Sequence, residues 1–261
     1  MANVVDINCD MGESFGAYSL GRDEDVIKCI SSANIACGFH ASDPMVMDRT
    51  VRLCQEHHVG AGAHPGYPDL LGFGRRFMDI SPVEMDNYVV YQAGALQGFL
   101  QKHGMSLQHI KLHGALYNNL VNQPDLFLQF VRQVSKIFGN PVFLTLATGK
   151  TILLKEKARR EGLRIALEAF PDRQYTDEGE LAPRTHSGSV LNDPEQISKR
   201  AVEMVVKSGV VSINGQWLDM DIDTLCIHGD NLQSIQAAKM IVNAFKREGI
   251  QIKPLGEIIP K

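Results

Sequence analysis

VDINCDMGE, residues 5–13, carries an apolar run into a group of acids, and four later segments repeat the design. They are NIACGFHASD at 34–43, VGAGAHPG at 59–66, IKLHGALYN at 110–118 and TLCIHGDN at 224–231. A buried strand that delivers a titratable group at its C-terminal end is how parallel β/α folds build active sites. One such end means little. Five in one chain make an enzyme the leading reading.

Working outward, strand patterns recur at 4–8, 33–37, 59–63, 109–113, 141–146, 164–168 and 223–228. Most are continuous apolar runs, as expected of strands buried on both faces of a parallel sheet. Helical patterns fill the gaps. Asp43-Pro44 supplies a capping acceptor and a proline at the first helical position. Ser81-Pro82-Val83-Glu84 reads as a capping box opening a long helix that stops near Gly104. Further helices start at Pro124, at Asp193-Pro194 and near Asn231. Strand and helix alternate seven times, which predicts an α/β protein with a parallel sheet and right-handed crossovers. The pattern leaves open whether the sheet closes into a barrel. Two connections are long, residues 64–80 and 169–192, and both follow a strand's C-terminal end, where function is favoured. No linker or repeat divides the chain, so residues 1–261 read as a single domain.

The 261 residues carry 26 basic and 30 acidic side chains, a net charge of −4, with no Lys/Arg tract, which argues against nucleic-acid binding. No apolar run approaches the ~20 residues needed to cross a bilayer. The N-terminus is too short and polar for a signal peptide and reads as the first strand. Five cysteines without a CxxC fit a reduced, cytoplasmic compartment. Cys9, Cys37 and Cys226 sit within strand runs and read as buried small hydrophobes.

Asn8, Asp10 and Glu13 form N-x-D-x-G-E across the first strand's end. Asn8 and Asp10 are two apart, so both side chains can share a face. Paired carboxylates suit metal binding or proton transfer, although a polar strand end can also simply cap the next helix. His40, His64, His113 and His228 each sit at or just past a strand end. A lone histidine of this kind is usually a satisfied core residue, but four at one level would converge on one mouth. Asp10, His64 and His113 are the candidate metal set for a divalent ion, leaving positions open for water. The same residues can work without metal as base, orienting group and donor, and the sequence does not separate these. His57, His58, His103 and His109 flank helix ends and turns and read as solvated.

Arg75 and Arg76 lie in the first long connection, Arg173 and Arg184 in the second near Glu168 and Asp172, and Lys111 two residues before His113. Basic groups at one rim of an acidic chain suggest an anionic substrate, with a surface salt bridge the alternative for each. Ala147-Thr148-Gly149-Lys150-Thr151 has the tail of a phosphate-binding loop, but Leu144 stands where the motif needs its first glycine.

In order along the chain, D-x-N-x-D-x-G-E from Asp6, SANIACGFHA-x-D from Ser32, GAHP-x-x-PD from Gly62, GFGRR from Gly72, K-x-HGALYN from Lys111 and C-x-HGD from Cys226 resemble the LamB/YcsF family. Two positions depart from the family pattern: Leu112 replaces a proline, and FPDRQY stands where FADR-x-Y is common. Neither removes a titratable group. The resemblance implies a single-domain, seven-stranded parallel β/α barrel similar to the glycoside hydrolase/deacetylase superfamily. It also implies a component of an ATP-dependent 5-oxoprolinase, cleaving 5-oxo-L-proline to L-glutamate alongside partner subunits B and C. ATP would be a co-substrate of the complex, with partners handling it.

In that setting Asp10, His64 and His113 are expected to activate water or hold an ion that does. His40 and Lys111 would stabilise an oxyanion, Arg75, Arg76 or Arg184 would grip the substrate carboxylate, and Glu13 and Asp230 would relay protons. Asn8, Glu168, Arg173 and His228 complete the expected substrate-binding set. A stand-alone metal-dependent amidohydrolase or deacetylase is one alternative. A non-catalytic, lactam-binding component is another.

Overall fold

The computed structural model describes residues 3–259. In chain order they form β1 (Val4–Met11), α1 (Asp23–Val26), β2 (Ser32–Ala36), α2 (Pro44–His57), β3 (Gly60–His64), α3 (Pro82–Lys102), β4 (His109–Lys111), α4 (Gly114–Val121), α5 (Pro124–Ser135), β5 (Val142–Leu146) and α6 (Gly149–Arg160). There follow β6 (Ile165–Ala169), α7 (Pro194–Lys207), β7 (Gly209–Val211), β8 (Trp217–Asp219), β9 (Thr224–Ile227), α8 (Leu232–Glu248), β10 (Gln251–Ile252) and α9 (Leu255–Ile258).

Seven parallel strands run β1-β2-β3-β4-β5-β6-β9, and β9 pairs back onto β1 through Asp6–Thr224 to Cys9–Ile227. The sheet is therefore a closed barrel, which settles the question the strand pattern left open. β10 adds a short parallel pairing to the start of β1. The β7–β8 hairpin is antiparallel and separate from the barrel.

The helices form where local chemistry starts them. Asp43 accepts from the N–H groups of Met45 and Val46, with Pro44 at the first position of α2. Ser81 and Glu84 make the reciprocal capping box of α3. Thr148 and Thr151 do the same for α6, so the phosphate-loop-like stretch is a helix cap.

β1 explains how the barrel is filled. Val5, Ile7, Cys9 and Met11 are buried in the main core between barrel and helices. Asp6, Asn8 and Asp10 alternate with them and face inward. The inside is thus polar along this strand, where the apolar runs predict two apolar faces. At the bottom Asp6 accepts from Ser31 Oγ, Ser32 Oγ and Thr224 Oγ1 at 2.7, 2.6 and 2.5 Å. Beside this, Leu255 of α9 packs with Val142, Leu144 and Ala166 and plugs the end. One layer up, Asn34 Nδ2 donates to Asn8 Oδ1 and Asp10 Oδ1 at 2.7 and 2.8 Å. His109 Nε2 bonds Asn34 Oδ1 at 2.7 Å. His109 is fully buried, not solvated as its position beside a turn suggests. Gly62 makes room for it, since a Cβ there would lie 2.2 Å from the His109 ring.

Candidate active site

Strand lengths set the level of each polar side chain. β1 continues to Met11 and β3 to His64, so Asp10 and His64 belong to regular strand. β4 ends at Lys111, and His113 is the extended residue that precedes α4. His40 and His228 lie just past β2 and β9.

Lys111 is buried inside the barrel with its Nζ 2.8 Å from Glu168 Oε1, 3.1 Å from Asp10 Oδ1 and 3.2 Å from Asn8 Oδ1. Burial works against its charge, but Asp10 and then Cys226 and Glu168 outweigh it and hold the ammonium well above the usual lysine range. An ammonium has three protons to donate; they go to Asp10 Oδ1, Asn8 Oδ1 and Cys226 Sγ at 3.2 Å, while Glu168 stands against the ammonium as its ion-pair partner. Lys111 is thus committed to fixing Asp10 and Glu168 and is not a free donor for an oxyanion. Glu168 also accepts from Tyr117 O–H at 3.0 Å and is fully buried. Asn8 and Glu168 lie beneath the mouth as supports and do not line it.

Asp10 has its second oxygen, Oδ2, 3.3 Å from His64 Nε2. Burial pushes its pKa up, but His64 and Lys111 prevail and hold it well below the usual carboxylate range. His64 Nδ1 donates to the Lys111 carbonyl at 2.8 Å, and its Nε2 faces His113 Nδ1 at 2.9 Å. His113 Nε2 donates to the Phe73 carbonyl at 2.8 Å. His40 stacks flat on His113, ring centres 3.7 Å apart, with both nitrogens buried and unpartnered. Burial, reinforced by His64, drops the His113 pKa to about 3, and burial likewise takes His40 well below the imidazole range. Glu13 Oε1 completes the group, 3.5 Å from His40 Nε2 and 3.8 Å from His113 Nδ1. Burial, then Asp10 and Asp230, pushes its carboxyl well up.

The loop from Pro65 to Ile80 wraps over these rings. Gly74 (φ +62°) passes so close that a Cβ would stand 2.9 Å from His113 Cδ2 and from His40 Cβ. This loop brings Phe73 and Arg75 to the mouth, a cavity of about 560 Å³ lined also by Asp10, Glu13, His64, Lys111 and His113. Across from them stand Phe170, Arg173, Arg184, His228 and Asp230. Arg75 lies over the Phe73 ring at 5.3 Å. Arg173 is tied by Nη2 to the Ala182 carbonyl at 2.6 Å. His228 Nδ1 pairs with Asp172 at 2.6 Å, and that carboxylate outweighs burial and raises the imidazole pKa. A larger groove, about 700 Å³, opens at the opposite end of the barrel, but Arg164 is its single titratable side chain.

The structure corrects several expectations. Arg76 does not line the mouth; it is exposed and ion-paired with Asp69. His40 sits behind His113, outside the cavity lining, so it is not placed to meet an oxyanion. The four donor atoms that gather most tightly belong to Glu13, His40, His64 and His113, all within 4.8 Å of one another, and this cluster could hold a metal ion. Relative to the set read from sequence, Glu13 and His40 join the two histidines, while Asp10 stands beside His64. Tyr117 and Asn34 are site residues that the strand-end pattern misses. Tyr117 has a signal in HGALYN, four residues after His113 and so on the same side of a helix.

Among the described residues no helix is long and apolar enough to cross a membrane. The chain is 46% identical to the A subunit of 5-oxoprolinase from Pyrococcus furiosus, over 98% of this chain and 99% of that one. It is 48% identical to the protein of the same name from Thermococcus onnurineus over the same share. Its fold matches the crystal structure of the lactam utilization protein of Thermus thermophilus with a TM-score of 0.87 at 40% identity, covering 95% of this chain and 98% of that chain. The LamB/YcsF family profile matches residues 5–260, and the chain belongs to the LamB/YcsF family.

Proposed function

We propose that this chain is the ring-opening component of an ATP-dependent 5-oxoprolinase, converting 5-oxo-L-proline to L-glutamate in a complex whose partner subunits, B and C, handle ATP. The observation that carries the reading is the juxtaposition of two arginines, Arg75 and Arg184, with the Asp10–His64 pair across one cavity. The relatives are named as one lettered subunit of an enzyme, which supports partnership.

A five-membered lactam is a stable amide and a poor electrophile. Transfer of a phosphoryl group from ATP to the ring carbonyl oxygen gives ADP and an activated carbon. Water then adds to that carbon, losing a proton to Asp10 with His64 beside it. The ring nitrogen takes up a proton, delivered from Asp230 at the rim, and leaves as the amine. A second water releases phosphate from the resulting acyl phosphate, giving glutamate. Arg75 and Arg184 pair with the substrate carboxylate and the added phosphate. Lys111 holds Asp10 in the ionised form that is ready to accept the proton from water. ATP as co-substrate and five unpaired, buried cysteines suit a cytoplasmic enzyme.

The test is glutamate release from 5-oxoproline by the chain alone and with subunits B and C, with and without ATP. Release is expected only with all three subunits and ATP. Release by the chain alone without ATP would point to a stand-alone amidohydrolase. Binding of 5-oxoproline without turnover by the full complex would point to a non-catalytic role.

A further inference from the structure

We infer that Glu13, His40, His64 and His113 form a site for one first-row divalent cation of the zinc, cobalt or nickel type. The inference rests on which nitrogen atoms carry protons. A carbonyl only accepts, so the nitrogen that bonds it must be the N–H. His64 Nδ1 is committed to the Lys111 carbonyl and His113 Nε2 to the Phe73 carbonyl. In the neutral rings this leaves lone pairs on His64 Nε2 and His113 Nδ1, and these two atoms face each other at 2.9 Å. Two lone pairs so close repel, so the gap calls for a proton or a cation.

Two further residues favour the cation. Glu13 Oε1 and both nitrogens of His40 are buried without a hydrogen-bond partner, an arrangement that is costly unless something else satisfies them. Glu13 Oε1 and His40 Nε2 lie beside the two facing nitrogens, with Glu13 Oε1 3.5 Å from His40 Nε2 and 3.8 Å from His113 Nδ1. Ligands held about 2.1 Å from an ion stand about 3.0 Å apart at a right angle and about 3.4 Å apart at the tetrahedral angle. The 2.9 and 3.5 Å separations fall just outside the two ends of that span, and 3.8 Å corresponds to a wider angle of about 130°. The four donor atoms lie within 4.8 Å of one another, so the widest pair would draw in toward the ~4.2 Å that one ion can bridge. Three imidazoles with one carboxylate and no thiolate suit Zn²⁺, Co²⁺ or Ni²⁺ better than Mg²⁺ or Ca²⁺. The carbonyls of Lys111 and Phe73 play the orienting part that outer hydrogen bonds play for metal-bound histidines.

The experiment is titration of Co²⁺ into the tag-free, chelator-treated chain, followed by calorimetry and by visible absorption. One equivalent is expected to bind, with a d–d absorption band that saturates at that ratio, and Zn²⁺ should displace it. Glu13→Gln, a substitution of nearly the same shape, should weaken binding roughly tenfold or more, and His113→Ala should do at least as much. His103→Gln, altering a histidine that pairs with Asp48 outside the cluster, should leave binding unchanged. Absence of stoichiometric binding, or binding that survives Glu13→Gln and His113→Ala in chains whose circular dichroism is unaltered, overturns the proposal and leaves a proton between the two rings. Because the readout is metal binding by the isolated chain, it is independent of whether lactam ring opening is the reaction.

Discussion

Asp6 and Asp10 are the same side chain on the same face of the same strand, four residues apart, yet the barrel treats them in opposite ways. Asp6, at the closed end, is surrounded by three hydroxyl donors and no cation. Burial outweighs those bonds and lifts its pKa to about 6. Asp10, at the open end, has Lys111 and His64 against it and stays ionised. Hydroxyls satisfy a carboxylate's geometry, but a nearby cation is what offsets loss of water. The closed end is built for stability, the open end for a charge that is exposed to a ligand.

The sharpest way to break this comparison is to neutralise each acid in turn. Asp10→Asn is expected to cut turnover of the reconstituted complex by roughly 10²–10⁴-fold while leaving the melting temperature nearly unchanged; kcat and calorimetry report the two halves. Next in size is Lys111→Met, which leaves Asp10 and Glu168 buried without their cation. Urea unfolding should show a loss of about 3–5 kcal/mol, and refolding to wild-type stability would refute the supporting role given to Lys111.

Asp6→Asn should do the reverse of Asp10→Asn, costing about 1–3 kcal/mol because the amide cannot accept from all three hydroxyls, with kcat of the folded chain retained. It also tests a pH effect. An acid whose folded pKa lies near 6 against 3.8 unfolded binds more protons when folded between those values. Its contribution to stability is therefore present at low pH and declines as pH rises from about 4 to 6. The decline should vanish in Asp6→Asn, measured by unfolding at several pH values. The smallest effect is expected at the rim: Arg184→Ala should raise KM for the activated substrate about tenfold with little change in kcat, the mark of lost uniform binding.

Strand ends are readable because each combines an apolar run with a titratable residue, and the helix caps are readable because their chemistry is local. Asp10, His64 and His113 meet at one mouth for that reason. Pairing is not local and is not readable. Arg76 and Arg75 are adjacent in sequence, yet a loop turn sends one to Asp69 and the other to the cavity. His109 looks like a turn residue because nothing in its neighbourhood reveals that Gly62, on another strand, leaves a hole for its ring. The β7–β8 hairpin does leave a signal, but one without a titratable strand end. Asn214-Gly215 lies between Val210-Val211 and Trp217-Leu218, a short-range turn signature, and Gly215 adopts φ +89°.

The seam between β1 and β9 bears on how the chain is made. Asp6 and Thr224, partners across it, are 218 residues apart. During synthesis the barrel cannot shut until the ninth strand has left the ribosome, so β1 waits as an open sheet edge while most of the chain is translated, and β6 waits as the other edge from its own emergence until β9 follows. Loop closure over such a span is slow, and unpaired edges recruit other chains. The seven-stranded ring thus ties a durable native state to a prolonged, vulnerable infancy, and slowing translation or adding chaperone should change the yield of this protein more than its final stability.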